Sequence, residues 1–242
     1  AITEPRETPG QLVVVGGRVE QALAEVLDLP VVVDNDANCA AWAERCLGAA
    51  GGRDHALLVT LGTGIGAGLI ADGRPFNGAH GMAGEPGHMT VDPGGPRCPC
   101  GRRGCWERYA SGSGLGFLAR EAALAGRADQ VLARAGGDAE AVRGEHVTAA
   151  AREGDPEAAA VMDDFGWWVA VGVANLVNIL DPEVVVLGGG LVTEADLFVP
   201  VLTFVFGEAQ YPGRAAVISA ARLRDEFYGL PADQAKLDER LL

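Results

Sequence analysis

Between Glu85 and Glu107 the chain reads E-P-G-H-M-T-V-D-P-G-G-P-R-C-P-C-G-R-R-G-C-W-E, with His88, Cys98, Cys100 and Cys105 set among glycines and prolines. No other stretch restricts the fold as much. Thiolate and imidazole are the ligands zinc prefers, and a closed tetrahedral site takes four of them. The Gly94-Gly95-Pro96 and Gly101 to Gly104 segments let the backbone turn tightly enough for all four to converge. A site with no open position holds structure, so zinc here is expected to staple a loop. The flanking carboxylates are then free for other work. The alternative is ordinary reduced thiols beside a surface histidine, or a disulfide that strands an odd thiol and leaves His88 unexplained. Cys39 and Cys46 lie in an alanine-rich helical run and are expected to be small buried hydrophobes.

With 242 residues, 48% of them hydrophobic, the chain is long enough to bury a real core in one large or two smaller domains. No apolar run approaches the length of a membrane span, and the N-terminus has no signal-peptide anatomy. Sparse, clustered cysteines suit a reducing cytoplasm. A formal charge of −14 disfavours sequence-independent binding to nucleic acid, which needs a basic surface. Anionic ligands held by backbone amides remain open.

Alternation of strand and helix signals predicts an α/β chain. Residues 11–15 read as a short extended segment and Val19 to Leu29 as a helix. A short buried strand is expected over Val31 to Val33, ending in Asp34-Asn35-Asp36-Ala37-Asn38, followed by a helix over Ala37 to Leu47. Polar residues at the end of a strand, just before a helix, sit where α/β proteins place ligands. Leu57 to Leu61 and Ile65 to Ile70 read as an antiparallel pair around Gly62-Thr63-Gly64, and Asp72-Gly73 marks a hairpin turn. Gly62, Gly64, Gly66 and Gly68 leave alternate positions bare, so another backbone or a phosphate can come close. Helices are expected from about Gly114 to Asp164, with a start at Asp155-Pro156, then a long apolar helix over Phe165 to Leu180. Val184 to Leu187 reads as a buried strand running into Gly188-Gly189-Gly190, an arrangement several nucleotide-binding folds share. Each glycine cluster alone is also an ordinary turn.

Together these residues resemble the ROK sugar kinases and repressors, most closely the bacterial glucokinases of that family. The resemblance rests on L-G-T-G-I-G-A-G-L with Gly78 and G-E-P-G-H, on C-P-C-G-R-R-G-C-W-E, on V-V-V-D-N-D-A-N, and on V-V-V-L-G-G-G. It runs from about Val19 to Val192. It implies an actin-like ATPase (ribonuclease H-like) fold, two α/β domains with the active site in the cleft between them. Residues 1–38 would be the remnant of an incomplete small domain. Residues 39–242 would form the large domain, with the zinc loop at 88–105 and an uncertain tail after about 215.

The resemblance implies ATP-dependent phosphorylation of a hexose at its 6-hydroxyl, glucose being the first choice, with Mg²⁺ and structural Zn²⁺. Asp36 would be the general base. Asn35, Glu85, His88 and Glu107 would bind sugar hydroxyls, with His88 also on zinc beside Cys98, Cys100 and Cys105. Gly62, Thr63 and Gly64 would meet the ATP phosphates, and Gly188 and Gly189 the adenosine. A homo-oligomer (dimer or tetramer) in the cytoplasm is expected, with no nucleic acid or membrane partner. Against these roles stand plainer ones: helix capping for Asn35 and Asp36, solvated surface charge for Glu85 and Glu107, packing for Trp106, Trp167 and Trp168.

Three departures from the family pattern stand out. The D-I-G-G-T phosphate loop is absent from these residues, so the chain as given is expected to be a poor kinase. Pro86 replaces an apolar residue and is expected to stiffen the loop around Glu85 and His88. The tail lacks the family's small-residue pattern. A sugar-responsive ROK repressor fragment and a non-catalytic sugar-binding module are the alternative readings.

Overall fold

The computed structural model describes residues 16–200 and 216–219. Two strands, β1 (Ala56–Leu61) and β2 (Ile65–Ala71), form the expected antiparallel pair, with Leu61 opposite Ile65 across the Gly62-Thr63-Gly64 turn. Asp72 and Gly73 both adopt positive φ, 51° and 70°, and turn the chain into the two-residue β3 (Arg74–Pro75). That is the geometry the Asp-Gly pair predicts. On the other side β1 pairs in parallel with β4 (Val184–Gly188), which pairs in parallel with β5 (Ala216–Ser219). The sheet order is β3-β2-β1-β4-β5.

Helices α1 (Gly16–Leu27) and α2 (Asp36–Leu47) precede the sheet, and α3 (Gly112–Leu124), α4 (Asp129–Arg134), α5 (Gly144–Arg152) and α6 (Pro156–Leu180) lie between β3 and β4. The period of two in β1 and β4 divides the core between two faces. Leu57, Val59, Leu61, Val185 and Leu187 join Leu115, Phe165, Val169 and Val173 in the large cluster beneath α3, α5 and α6. Leu58, Val184 and Val186 join Ala41, Ala50, Ala56 and Ile70 on the α2 side. Strands covered on both faces must be apolar throughout, which is why β4 is continuous valine and leucine. Each fully buried Leu or Phe contributes about 1.5–3 kcal/mol of transfer free energy.

The glycine alternation in β2 has a packing cause at two positions. A Cβ on Gly68 would lie 2.4 Å from the Ala37 carbonyl oxygen, and one on Gly66 would lie 3.3 Å from the Ala37 Cβ. Helix α2 therefore rests almost on the strand backbone, presenting Ala37, Asn38, Ala41 and Glu44 as its buried residues. Cys39 and Cys46 fall on the opposite side with Trp42 and are exposed, so they are not core as expected. Small residues on both surfaces decide which face of α2 is buried, and the cysteines are not on it.

Two further expectations are corrected. Val31 to Val33 pair with no strand among the described residues, and Val32 is 84% exposed, so the segment is not a buried strand. An apolar run becomes a strand only where a neighbour supplies its hydrogen bonds. Helix α6 is one continuous helix from Pro156, capped by Asp155, whose carboxylate accepts from the Ala158 amide at 2.7 Å. It is long and apolar enough to cross a membrane by length and composition, contrary to expectation, but half of its apolar window is buried against the rest of the fold. It is a core helix. The extended segment expected over residues 11–15 lies outside the described residues.

Candidate functional site

His88 ends a 3-10 turn (Pro86–His88) in which Pro86 takes the first position, where a missing amide costs nothing. The loop beyond it doubles back. Thr90 bridges to Cys105, Arg97 bridges to Arg103, and the Cys98 amide donates to the Arg102 carbonyl at 2.8 Å. Gly104 (φ 60°) permits the closure, since a Cβ there would fall 1.5 Å from the Asp92 carbonyl oxygen. This brings one ligand atom from each of His88, Cys98, Cys100 and Cys105 to within 4.8 Å of one another.

The Cys100 and Cys105 sulfurs are 3.5 Å apart, and Cys98 Sγ is 3.7 Å from His88 Nδ1. Zinc bond lengths in a tetrahedron require about 3.8 Å between sulfurs and about 3.6 Å between sulfur and nitrogen. The four side chains fit a zinc ion, with Nδ1 of His88 facing it. All five cysteines are free. Burial pushes the Cys98 and Cys105 thiols up, whereas the Arg102 amide holds Cys100 below its ordinary value. Metal uptake by such a set releases protons.

Glu107 sits where this cluster meets the sheet. Its Oε1 accepts from the Cys98 thiol at 3.2 Å and lies 3.6 Å from His88 Nδ1. Its Oε2 lies against the Gly62-Thr63-Gly64 turn, 3.0 Å from where a Gly64 Cβ would be. The neighbouring Trp106 fixes it: the indole is fully buried, lies on Gly172 of α6 and donates to the Trp168 carbonyl at 2.7 Å. Tyr109 stacks on the Trp168 ring with centroids 4.2 Å apart and donates to Asp92 at 2.7 Å. Trp106 and Trp168 are packing residues, as expected, while Trp167 is half exposed.

Helix α2 brings up the second group of residues. Asn35 caps it, with Oδ1 accepting from the Ala37 and Asn38 amides at 2.9 and 3.4 Å. The capping role is real, and among the described residues it leaves the Asn35 Nδ2 donors uncommitted. Asp36 is exposed and, among the described residues, accepts only from the Ala37 amide through Oδ1. Glu85 is exposed and follows Gly84, whose Cα abuts the Ala67 carbonyl and faces Asn38. The stretch 84–88 thus lies along β2 beside the start of α2, with Gly87 against Ile65.

Sequence reasoning passed over Asp34 and Asn77. The Asp34 carboxylate accepts from Asn38 Nδ2 at 2.9 Å, the Asn35 amide at 2.7 Å and Asn77 Nδ2 at 2.6 Å. The Asn38 hydrogen bond leads in holding its pKa below the usual carboxylate value. The Asn38 contact was legible as an i, i+4 pair across the helix start, whereas Asn77, 43 residues away, leaves no local signal.

At the carboxyl end of β4, Gly188 is buried and Gly189 (φ 87°) lies on the Leu61 backbone, where a Cβ would approach the carbonyl oxygen to 2.6 Å. Gly189 is therefore required by packing at the mouth of β1. The following 3-10 segment, Gly190–Leu197, is held by Arg152, which donates to Glu194 at 2.9 Å and to Asp196 at 3.0 and 3.1 Å.

Residues 11–226 match the ROK family. The chain belongs to the ROK family. The match continues past Val192, where the motif resemblance ended, to include β5. The ROK chain is similar to the glucokinase of Streptomyces coelicolor, 42% identical over 171 residues that make up 70% of this chain and 54% of the relative. It is also similar to the xylose repressor of Bacillus subtilis, 31% identical over 72% of this chain and 41% of the repressor. Among solved structures it is similar to a ROK family glucokinase from Streptomyces griseus in complex with glucose and AMPPNP. That likeness has a TM-score of 0.71 at 37% identity and covers 83% of this chain and 66% of that one. The chain spans about half the length of the curated relatives it matches. ROK membership and these neighbours give it the actin-like ATPase fold, of which the mixed five-stranded sheet is part.

Proposed function

We propose that this ROK chain carries the sugar pocket and part of the nucleotide site of an ATP-dependent hexose kinase, acting on the 6-hydroxyl, with glucose the first candidate. The observation that carries the reading is the position of Glu107. One carboxylate oxygen faces the His88–Cys98 cluster and the other faces the Gly62-Thr63-Gly64 turn. A sugar held by Glu107 therefore lies next to the turn assigned to the phosphates. The glucokinase relatives support the choice of substrate.

The proposed roles follow from each group's free capacity. Asn35 spends Oδ1 on the helix cap, so it donates to a sugar oxygen through Nδ2. Glu85 and Glu107 accept from sugar hydroxyls. His88 turns Nδ1 toward the metal ligands and Nε2 toward the sugar, and the metal contact fixes its tautomer. Bound zinc would supply only charge and geometry, holding His88 and three thiolates in one arrangement. Asp36 keeps Oδ2 free of protein partners among the described residues and takes the hydroxyl proton. ATP with Mg²⁺ is the donor, its phosphates at Gly62, Thr63 and Gly64 and its adenosine near Gly188 and Gly189. Free thiols throughout suit a reducing cytoplasm.

The test is hexose-dependent ADP release across a panel of hexoses, on the chain as given and on the chain extended upstream of Ala1. The expected outcome is glucose-dependent turnover in the extended protein and far less in the 242-residue chain. Sugar binding with no ADP release from either would favour the second reading, a sugar-responsive repressor fragment, which the xylose repressor relatives motivate.

A further inference from the structure

The turn between β1 and β2 is gripped from behind by the start of α3. The Gly112 amide donates to the Gly62 carbonyl at 2.7 Å, and the Ser113 hydroxyl donates to the Thr63 carbonyl at 2.8 Å. No cis peptide is present among the described residues, and in a trans peptide the N–H points opposite to the C=O. Tying the Gly62 and Thr63 carbonyls to α3 therefore turns the Thr63 and Gly64 amides the other way. Among the described residues neither amide has a protein acceptor. Thr63 is exposed and Gly64 half-buried, so neither amide is sealed inside the fold. Successive bare amides of this kind form an anion-binding concavity.

Other features of α3 are consistent with a dedicated mount. Ser111, not Ser113, caps the helix, accepting from the Gly114 amide at 3.1 Å while donating to the Glu107 carbonyl at 2.6 Å. Ser113 is thus released from capping and is exposed, with the Thr63 carbonyl as its partner. Gly112 needs to be small, because a Cβ there would lie 3.1 Å from the Gly62 oxygen. The S-G-S-G run at Ser111 to Gly114 accordingly holds Glu107 with its first serine and the turn with its second.

We propose that Ser113 is a positioning residue for phosphate binding: by holding the Thr63 carbonyl it aims the Gly64 amide, with Thr63's alongside, at the phosphate oxygens of the nucleotide. The inference rests on the reading of Gly62-Thr63-Gly64 as the phosphate turn and adds the element that orients it. Loss of the hydroxyl frees the peptide plane to rotate and weakens phosphate binding without touching the sugar side.

The experiment follows the backbone amides of the ¹⁵N-labelled 242-residue chain by NMR, with AMPPNP plus Mg²⁺ and inorganic tripolyphosphate as separate probes and a parallel glucose titration. In the unmutated chain the Thr63 and Gly64 amides shift on addition of either probe. Ser113→Ala weakens both titrations by about fivefold to tenfold, the worth of one hydrogen bond, and Ser113→Thr restores them. Glucose affinity stays unchanged in both variants, and both stay folded by their amide spectra. Ser113→Ala titrating like the unmutated chain, with the same amide shifts, overturns the positioning role alone and leaves the phosphate turn standing. Thr63 and Gly64 amides that move with neither probe in the unmutated chain overturn the role and the phosphate assignment together. The glucose titration reports separately on the sugar pocket.

Discussion

Asn35 shows how one side chain can cap a helix and keep a donor in reserve, since its oxygen caps α2 and its nitrogen has no protein acceptor among the described residues. Asp36, one residue on, has no structural duty of comparable weight. Asp36→Asn is expected to lower turnover in the active protein by about 10²–10⁴-fold while hexose affinity is nearly kept, because the amide cannot accept the proton. A wild-type kcat in that variant, read by coupled ADP release, would leave Asp36 as part of the helix start only. Asp34 acts on stability. Its carboxylate pKa is depressed, chiefly by Asn38, so its contribution is present above the ordinary carboxylate range and is lost as pH falls through the folded value. Asp34→Asn should destabilise by about 1 kcal/mol at pH 7. In urea titrations the gap should close below about pH 4, and a constant gap would argue against the charge. Glu44 has the opposite sign. Burial raises its pKa against the Ala49 amide that lowers it, so the folded state binds the extra proton and stability rises as pH falls through the folded value. Glu44→Gln should remove that pH dependence while keeping the Ala49 hydrogen bond.

At the scale of elements the 88–105 loop has two anchors on the proposed reading. One is the His88–Cys98–Cys100–Cys105 cluster, and the other is the Trp106–Gly172 and Tyr109–Trp168 packing on α6, which needs no metal. Chelation should therefore free residues 92–104 and leave Trp106 in place. Trypsin cutting at Arg97, Arg102 and Arg103 should accelerate after chelation and slow again on adding zinc, and an unchanged rate would mean the cluster carries no metal. Gly172→Ala tests the second anchor: its Cβ would land 1.9 Å from the Trp106 ring, and overpacking of that severity costs about 3 kcal/mol or more. Elements with local signals were legible in the sequence. The Asp72-Gly73 hairpin, the Asp155-Pro156 helix start and the convergence of His88, Cys98, Cys100 and Cys105 in a glycine-rich loop each carry their geometry within a few residues. What depended on distant partners was not. Val31 to Val33 look like a strand but have no described neighbour, Ala216 to Ser219 join the sheet only because β4 is beside them, and Cys39 and Cys46 are exposed because β2 takes the other face of α2.

Across the whole molecule, the residues assigned to sugar all lie in this chain, on the α2 start, the 84–88 stretch and the Cys105–Glu107 segment, around one sheet end. The curated relatives are about twice the length matched here. Catalysis of phosphoryl transfer comes from positioning both partners, so on the proposed reading turnover is expected of a longer protein and sugar binding of this chain. The central claim, that a zinc-stapled loop builds a hexose pocket, is tested most directly by titrating glucose into the 242-residue chain with its metal bound, after chelation, and after zinc is returned. The account predicts one zinc per chain, glucose binding in the loaded form, a loss of about tenfold or more on chelation, and recovery with zinc. Glucose affinity that is the same with and without the metal, or absent from the zinc-loaded chain, would contradict it.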